Sequence, residues 1–123
     1  MNKNSPNDFG LFKLDFGYFE KVMKSKVSDK YSVEIQFEVE SSEIYNLSWM
    51  GKSIERETNR EVFWFGLVED GSQAYDYETF DEFVNSQVFY GEKSLKDLWD
   101  LILIFSLNGA NESDIINVFL KFD

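Results

Sequence analysis

Cysteine and histidine are both absent from the 123 residues. Without cysteine there are no disulfides, no thiolate ligands and no cysteine nucleophile. Without histidine the usual general base and the commonest metal ligand are gone as well. Nucleophilic catalysis is then left with Ser–Lys or Thr–Lys pairs or paired carboxylates. Long hydrophobic runs are missing too: the longest uninterrupted one is Leu101 to Phe105, far short of a membrane span. The opening Met1-Asn2-Lys3-Asn4-Ser5-Pro6 is followed by no apolar stretch of the kind a secretion signal needs, so a cytoplasmic protein is expected. A final absence is local. No lysine or arginine lies between Arg60 and Lys93.

That same interval is crowded. It holds eight acids (Glu61, Glu69, Asp70, Asp76, Glu78, Asp81, Glu82, Glu92) and nine aromatics (Phe63, Trp64, Phe65, Tyr75, Tyr77, Phe80, Phe83, Phe89, Tyr90). It therefore carries −8 of the formal net charge of −11. Aromatic side chains offer rigid contact area and carboxylates steer an oppositely charged partner, so the combination suits the grip of a basic protein. The same surface repels phosphate, which argues against direct binding of nucleic acid. At 43% hydrophobic and 28% charged, the chain has the material for one folded domain spanning 1–123, with residues 1–8 expected to be flexible.

Hydropathy periods divide the chain into elements. Phe12, Phe16, Phe19, Val22 and Met23 recur at helical steps, with Lys24 and Lys26 near a helix C-terminus; Gly10 and Gly17 place the helix from about Asp15 onward. Tyr31 to Glu40 alternates apolar and polar residues and reads as a strand with one acidic, wet face. Further strands are expected at Ile44 to Met50, at Glu61 to Glu69 (apolar on both faces, hence interior) and at Gln73 to Tyr77, with Gly51 to Arg60 a long hairpin connection. Asp70-Gly71 marks a tight turn. Thr79-Phe80-Asp81-Glu82 is a capping box opening a short helix to Ser86, and Ser94 caps another with Leu95, Leu98, Trp99 and Ile102 on one face. Residues 101–107 fit helix or strand equally by period; 114–122 is ambiguous too, with the alternation of Ile116, Val118, Leu120 and Phe122 read as a last strand. The fold class is α+β: a central, mostly antiparallel sheet with an N-terminal helix and short capped helices.

Chemistry is hard to locate. Asp76 with Glu78, and Asp81 with Glu82, are pairs that 23 acids produce by chance. Asp70, Asp76, Glu78 and Glu82 lack the spacing of a calcium loop, so no metal and no cofactor are expected. Gly51-Lys52-Ser53 resembles the tail of a phosphate loop, but Asn46 stands where its first glycine belongs. Among the larger aromatics, Trp49, Tyr75 and Tyr77 suit a binding surface, while Trp64, inside the most apolar strand, suits the core.

With Phe80 to Asp100, including Tyr90-Gly91-Glu92-Lys93-Ser94-Leu95-Lys96-Asp97-Leu98-Trp99-Asp100, the chain resembles the small acidic immunity proteins that neutralise bacterial polymorphic toxins, including those of contact-dependent growth inhibition. The resemblance implies a cytoplasmic, non-enzymatic inhibitor that binds a cognate toxin domain, commonly a basic nuclease. The expected partner-binding residues are Glu69, Asp70, Tyr75, Asp76, Tyr77, Glu78, Asp81 and Glu82, with Glu34, Glu38 and Glu40 on the first strand as the rival location. The alternative function is an acidic adaptor or DNA mimic that binds a host DNA-binding protein.

Overall fold

Alternation lays down the sheet, beginning with Val33, Ile35, Phe37 and Val39, all buried on one side of the first strand. The computed structural model describes residues 11–24 and 32–107. Within them, strands β1 (Val33–Val39), β2 (Ser48–Ile54), β3 (Glu61–Gly66), β4 (Ala74–Tyr77) and β5 (Ile102–Leu107) form one sheet in the order β4-β3-β2-β1-β5. Every neighbouring pair is antiparallel. Helices α1 (Phe16–Lys24) and α2 (Phe80–Asn85) complete an α+β architecture. The fold class is as the sequence predicts. No described helix is long and apolar enough to cross a membrane.

Helix α1 starts where Asp15 accepts the Gly17 N–H on its carboxylate (2.9 Å) and the Phe19 N–H on its carbonyl (3.0 Å). It buries Phe19, Val22 and Met23 at helical spacing and ends with Lys21 and Lys24 against its negative pole. Phe12 is not part of it. Its backbone exchanges two hydrogen bonds with Ile104 and so borders β5. Helix α2 begins at Thr79, whose hydroxyl accepts the Glu82 N–H at 3.1 Å, the cap anticipated above.

Both helices lie on the same side of the sheet, over a core of stacked rings. Phe83 stacks on Phe65 at 4.3 Å between ring centres and meets Phe63 at 5.9 Å and Phe19 at 6.4 Å. Phe19 also lies 4.5 Å from Trp99, whose indole N–H donates to the Leu14 carbonyl (2.7 Å) and so ties α1 to the approach to β5.

Several boundaries differ from the sequence expectation, among them the end of β3, at Gly66 instead of Glu69. Residues 41–47 form a loop because the Ser42 hydroxyl accepts the Ile44 and Tyr45 backbone N–H groups, diverting the chain before it can pair. The second strand therefore starts at Ser48 and runs on through Gly51 to Ile54, leaving Glu55–Arg60 as the hairpin turn. The helix expected after Ser94 stops early. Ser94 and Asp97 cap each other reciprocally at 3.0 Å, but after a 3₁₀ turn at Trp99–Leu101 the chain extends and pairs with β1, which decides 102–107 as strand. Residues 1–8, 25–26 and 114–122 lie outside the described residues.

Candidate functional site

Strand pleating sends successive side chains to opposite faces, and this rule decides which of the candidate residues meet. On β4 it separates the expected cluster. Tyr75 and Tyr77 turn towards the helix-covered side, both half-buried against the core, with the Tyr77 hydroxyl donating to Ser86 Oγ at 2.7 Å. Asp76 points the other way. The compact aromatic–acid patch of Tyr75, Asp76, Tyr77 and Glu78 does not exist as one surface, because the tyrosines are needed to close the core beneath an edge strand.

What exists instead is a row across four strands. Asp76 is opposite Trp64, Trp64 opposite Gly51, and Gly51 opposite Glu34. The neighbouring row runs Ala74, Gly66, Trp49, Gln36. Both rows lie on the side of the sheet away from the helices. Trp64 was expected in the core; it is half-buried on this opposite face and is not part of the core cluster. The cause is Gly51. A β-carbon there would meet Trp64 Cζ2 at 2.7 Å and the Val33 carbonyl at 2.0 Å, so the indole lies across the bare backbone of β2. Trp49 is 38% exposed beside Gly66, where a β-carbon would meet nothing within 4 Å. The result is two tryptophans on adjacent strands, diagonal to each other on one face.

Acids border this face on both margins. Asp76 stands at the β4 edge, and its carboxylate has no partner among the described residues. Glu34 lies on β1, three inter-strand steps away, roughly 14 Å. Glu38 continues that margin, half-buried, opposite the buried Leu103 of β5, while exposed Glu40 sits just past the strand. Asp76 from one of the rival sets of acids, and Glu34 and Glu38 from the other, are thus opposite borders of one tryptophan-bearing face.

The remaining predicted residues surround the β4 edge, and most have local duties. Asp70 accepts the Ser72 N–H at 2.9 Å in the β3–β4 turn. The Ser72 hydroxyl, and then its N–H, hold the Asp70 carboxyl below the usual carboxylate range. Arg60 folds back to Glu78 (3.4 Å) and Glu55 (3.9 Å), so one of the eight acids is partly compensated by the arginine that ends the preceding segment. Glu82 contacts the Thr79 hydroxyl (3.0 Å), and Asp81 receives the Asn85 amide. Glu69 is exposed beside the turn.

Sequence reasoning missed Lys52. It is fully buried on the core side of β2, its ammonium 3.1 Å from half-exposed Glu61 and 5.9 Å from the centre of the Phe63 ring. The signal was present in the alternation Ser48, Met50, Lys52, Ile54, hidden because Gly51 and the polar residues after it read as a hairpin connection. Among the described residues no three carboxylates come together in a metal-binding arrangement. Comparison of the chain with protein-family models, with curated proteins and with solved structures found no match.

Proposed function

We propose that this protein is an immunity-type inhibitor: it binds a basic toxin domain, nuclease-like in its need to meet phosphate, and blocks it without turnover of its own. The observation that carries the reading is the face on which Trp64 and Trp49 lie between Asp76 and Glu34. A nuclease is positively charged where it meets nucleic acid, so an acid-bordered surface attracts that region, and exposed indole area then holds it. Glu69, Asp70, Asp81 and Glu82 add long-range steering from the adjoining edge. The cytoplasm, where such a toxin acts, is the proposed compartment.

The test is to co-express the products of the neighbouring genes, where the toxin of an immunity protein is expected, with the wild-type protein and with Trp49→Ala. Because Trp49 is a surface residue, its truncation should leave the melting temperature within about 1–2 °C while weakening toxin binding roughly 30-fold, the effect of a hot spot of about 2 kcal/mol. The association rate should also fall steeply with added salt, since exposed charges are screened beyond roughly 8 Å at physiological ionic strength. Undiminished binding by Trp49→Ala together with a salt-independent on-rate would remove this face from consideration. Capture of a host DNA-binding protein in place of a toxin would turn the reading to the DNA-mimic alternative.

A further inference from the structure

On the opposite side of β4 the chain forms a concave surface. Tyr45, Tyr75 and Tyr90 wall an open groove of about 540 Å³, with Ile44 and Val88 supplying its apolar lining. Ile44 is 53% exposed and Tyr90 47%, so two large hydrophobic side chains left to water share this one groove. The walls are firmly set. The Tyr45 hydroxyl donates to Gln73 Oε1 (2.8 Å) and accepts the Tyr90 backbone N–H (3.1 Å), while the Tyr90 hydroxyl donates to Ser42 Oγ (2.9 Å). The Tyr45 and Tyr90 rings meet edge to face at 4.9 Å.

Tyr90 occupies this position against its own preference. It has φ +57°, followed by Gly91 at +72°, and Glu92 N–H closes the turn on the Phe89 carbonyl at 3.1 Å. Both central residues of this turn require positive φ, which favours Asn at the first and Gly at the second. A tyrosine there is costly for the fold yet puts an exposed ring at the groove's lip. Costly conformations of this kind concentrate at binding sites.

Charge selects the occupant. Among the described residues no lysine or arginine lines the groove; Gln73 and Gln87 offer amide oxygens, and exposed Glu43 and Glu92 are the chain neighbours of lining residues Ile44 and Gly91. The nearest cation in sequence, Lys93, lies within electrostatic reach of Asp97. Tyrosine rings, amide acceptors and acids one residue along the chain from the lining suit a guanidinium, with the apolar lining left for its methylene stem. We propose that this groove holds an arginine side chain of the bound protein, forming a second contact beside the tryptophan face. The identity of that protein rests on the inhibitor reading; arginine binding itself does not.

The probe is the peptide acetyl-Gly-Arg-Gly-amide titrated into the isotope-labelled protein, compared with its citrulline counterpart, which keeps the shape and loses the charge. Ring and amide resonances of Tyr45, Tyr75, Tyr90 and Gln87 should shift with arginine and bind citrulline at least tenfold more weakly. Gln87→Lys, a change at an exposed residue, should abolish the shifts, and Tyr90→Asn should weaken them while raising the melting temperature. Equal response to arginine and citrulline, or shifts spread over the acidic surface and unaffected by Gln87→Lys, overturn the groove. Silence towards the peptide with toxin binding still lost in Trp49→Ala overturns the groove and leaves the docking face standing. Peptide shifts with toxin binding intact in Trp49→Ala do the reverse.

Discussion

The two faces of this sheet come from the same strands and both carry aromatic side chains, yet they treat them in opposite ways. On the helix side, Phe63, Phe65 and Phe83 are sealed from water in mutual ring contact. On the other, Trp64 lies across Gly51, Trp49 stands 38% exposed opposite Gly66, and both are bordered by Asp76 and Glu34. Charge is sorted the same way: the fully buried charge on the helix side is Lys52, while the acids of β1 and β4 face away. Aromatic content alone therefore says nothing about role. A ring packed among other rings stabilises the fold, whereas a ring laid on bare backbone between carboxylates leaves apolar area available to something else.

The largest effect that distinguishes the faces is expected at Phe83. Truncation to Ala removes a ring in contact with Phe19, Phe63, Phe65, Tyr77 and Phe80, and should cost about 3–5 kcal/mol in urea-induced unfolding. A loss below about 1 kcal/mol would mean that this core is looser than its geometry implies.

Next comes Gly51→Ala, which probes the other face from beneath. The new methyl must displace both the Trp64 indole and the Val33 carbonyl, for an overpacking cost of roughly 1–3 kcal/mol with a change in tryptophan emission. Unaltered stability and emission would show that Trp64 does not rest on Gly51.

The smallest effect lies at Asp97, away from both faces. Its carboxyl is held below its ordinary 3.8 first by the Ser94 N–H and then by the Ser94 hydroxyl. A lowered folded-state value stabilises the protein above the unfolded-state value, and that contribution is lost as pH falls through the folded one. Wild type should therefore lose part of its stability below about pH 4 through this group, and Asp97→Asn should flatten that part of the profile. Identical acid-unfolding curves for the two proteins would show that the cap carries no charge-dependent stability.

What could be read in the sequence is what local rules decide. Alternation from Val33 to Val39 needs no tertiary information, nor does the Thr79 cap, and both hold. Trp64 could not be placed, because an interior strand is apolar on both faces and only the register, which sets it opposite Gly51, tells core from surface. Tyr75 and Tyr77 were judged by their acidic neighbour Asp76, whereas pleating puts that neighbour on the opposite side. The joining of Asp76 with Glu34 in one row depends on residues far apart in the chain, which no local pattern encodes.

The strand order carries a consequence for how the molecule assembles. Strands β1 to β4 form an uninterrupted meander in which each pairs with its predecessor, while β5 must return to β1 from the far end, with Phe12 bridging its outer side. Short hairpin closures are fast, and joining distant segments is slow because more chain entropy is lost before contacts form. The meander, with Trp64 already across Gly51, is thus expected to arise early during synthesis. Docking of β5 is then the late step, and until it occurs β1 offers an unpaired edge to neighbouring chains. Refolding followed by pulsed hydrogen exchange should protect β2 and β3 amides before those of β5, and the reverse order would place the nucleus at the β1–β5 junction.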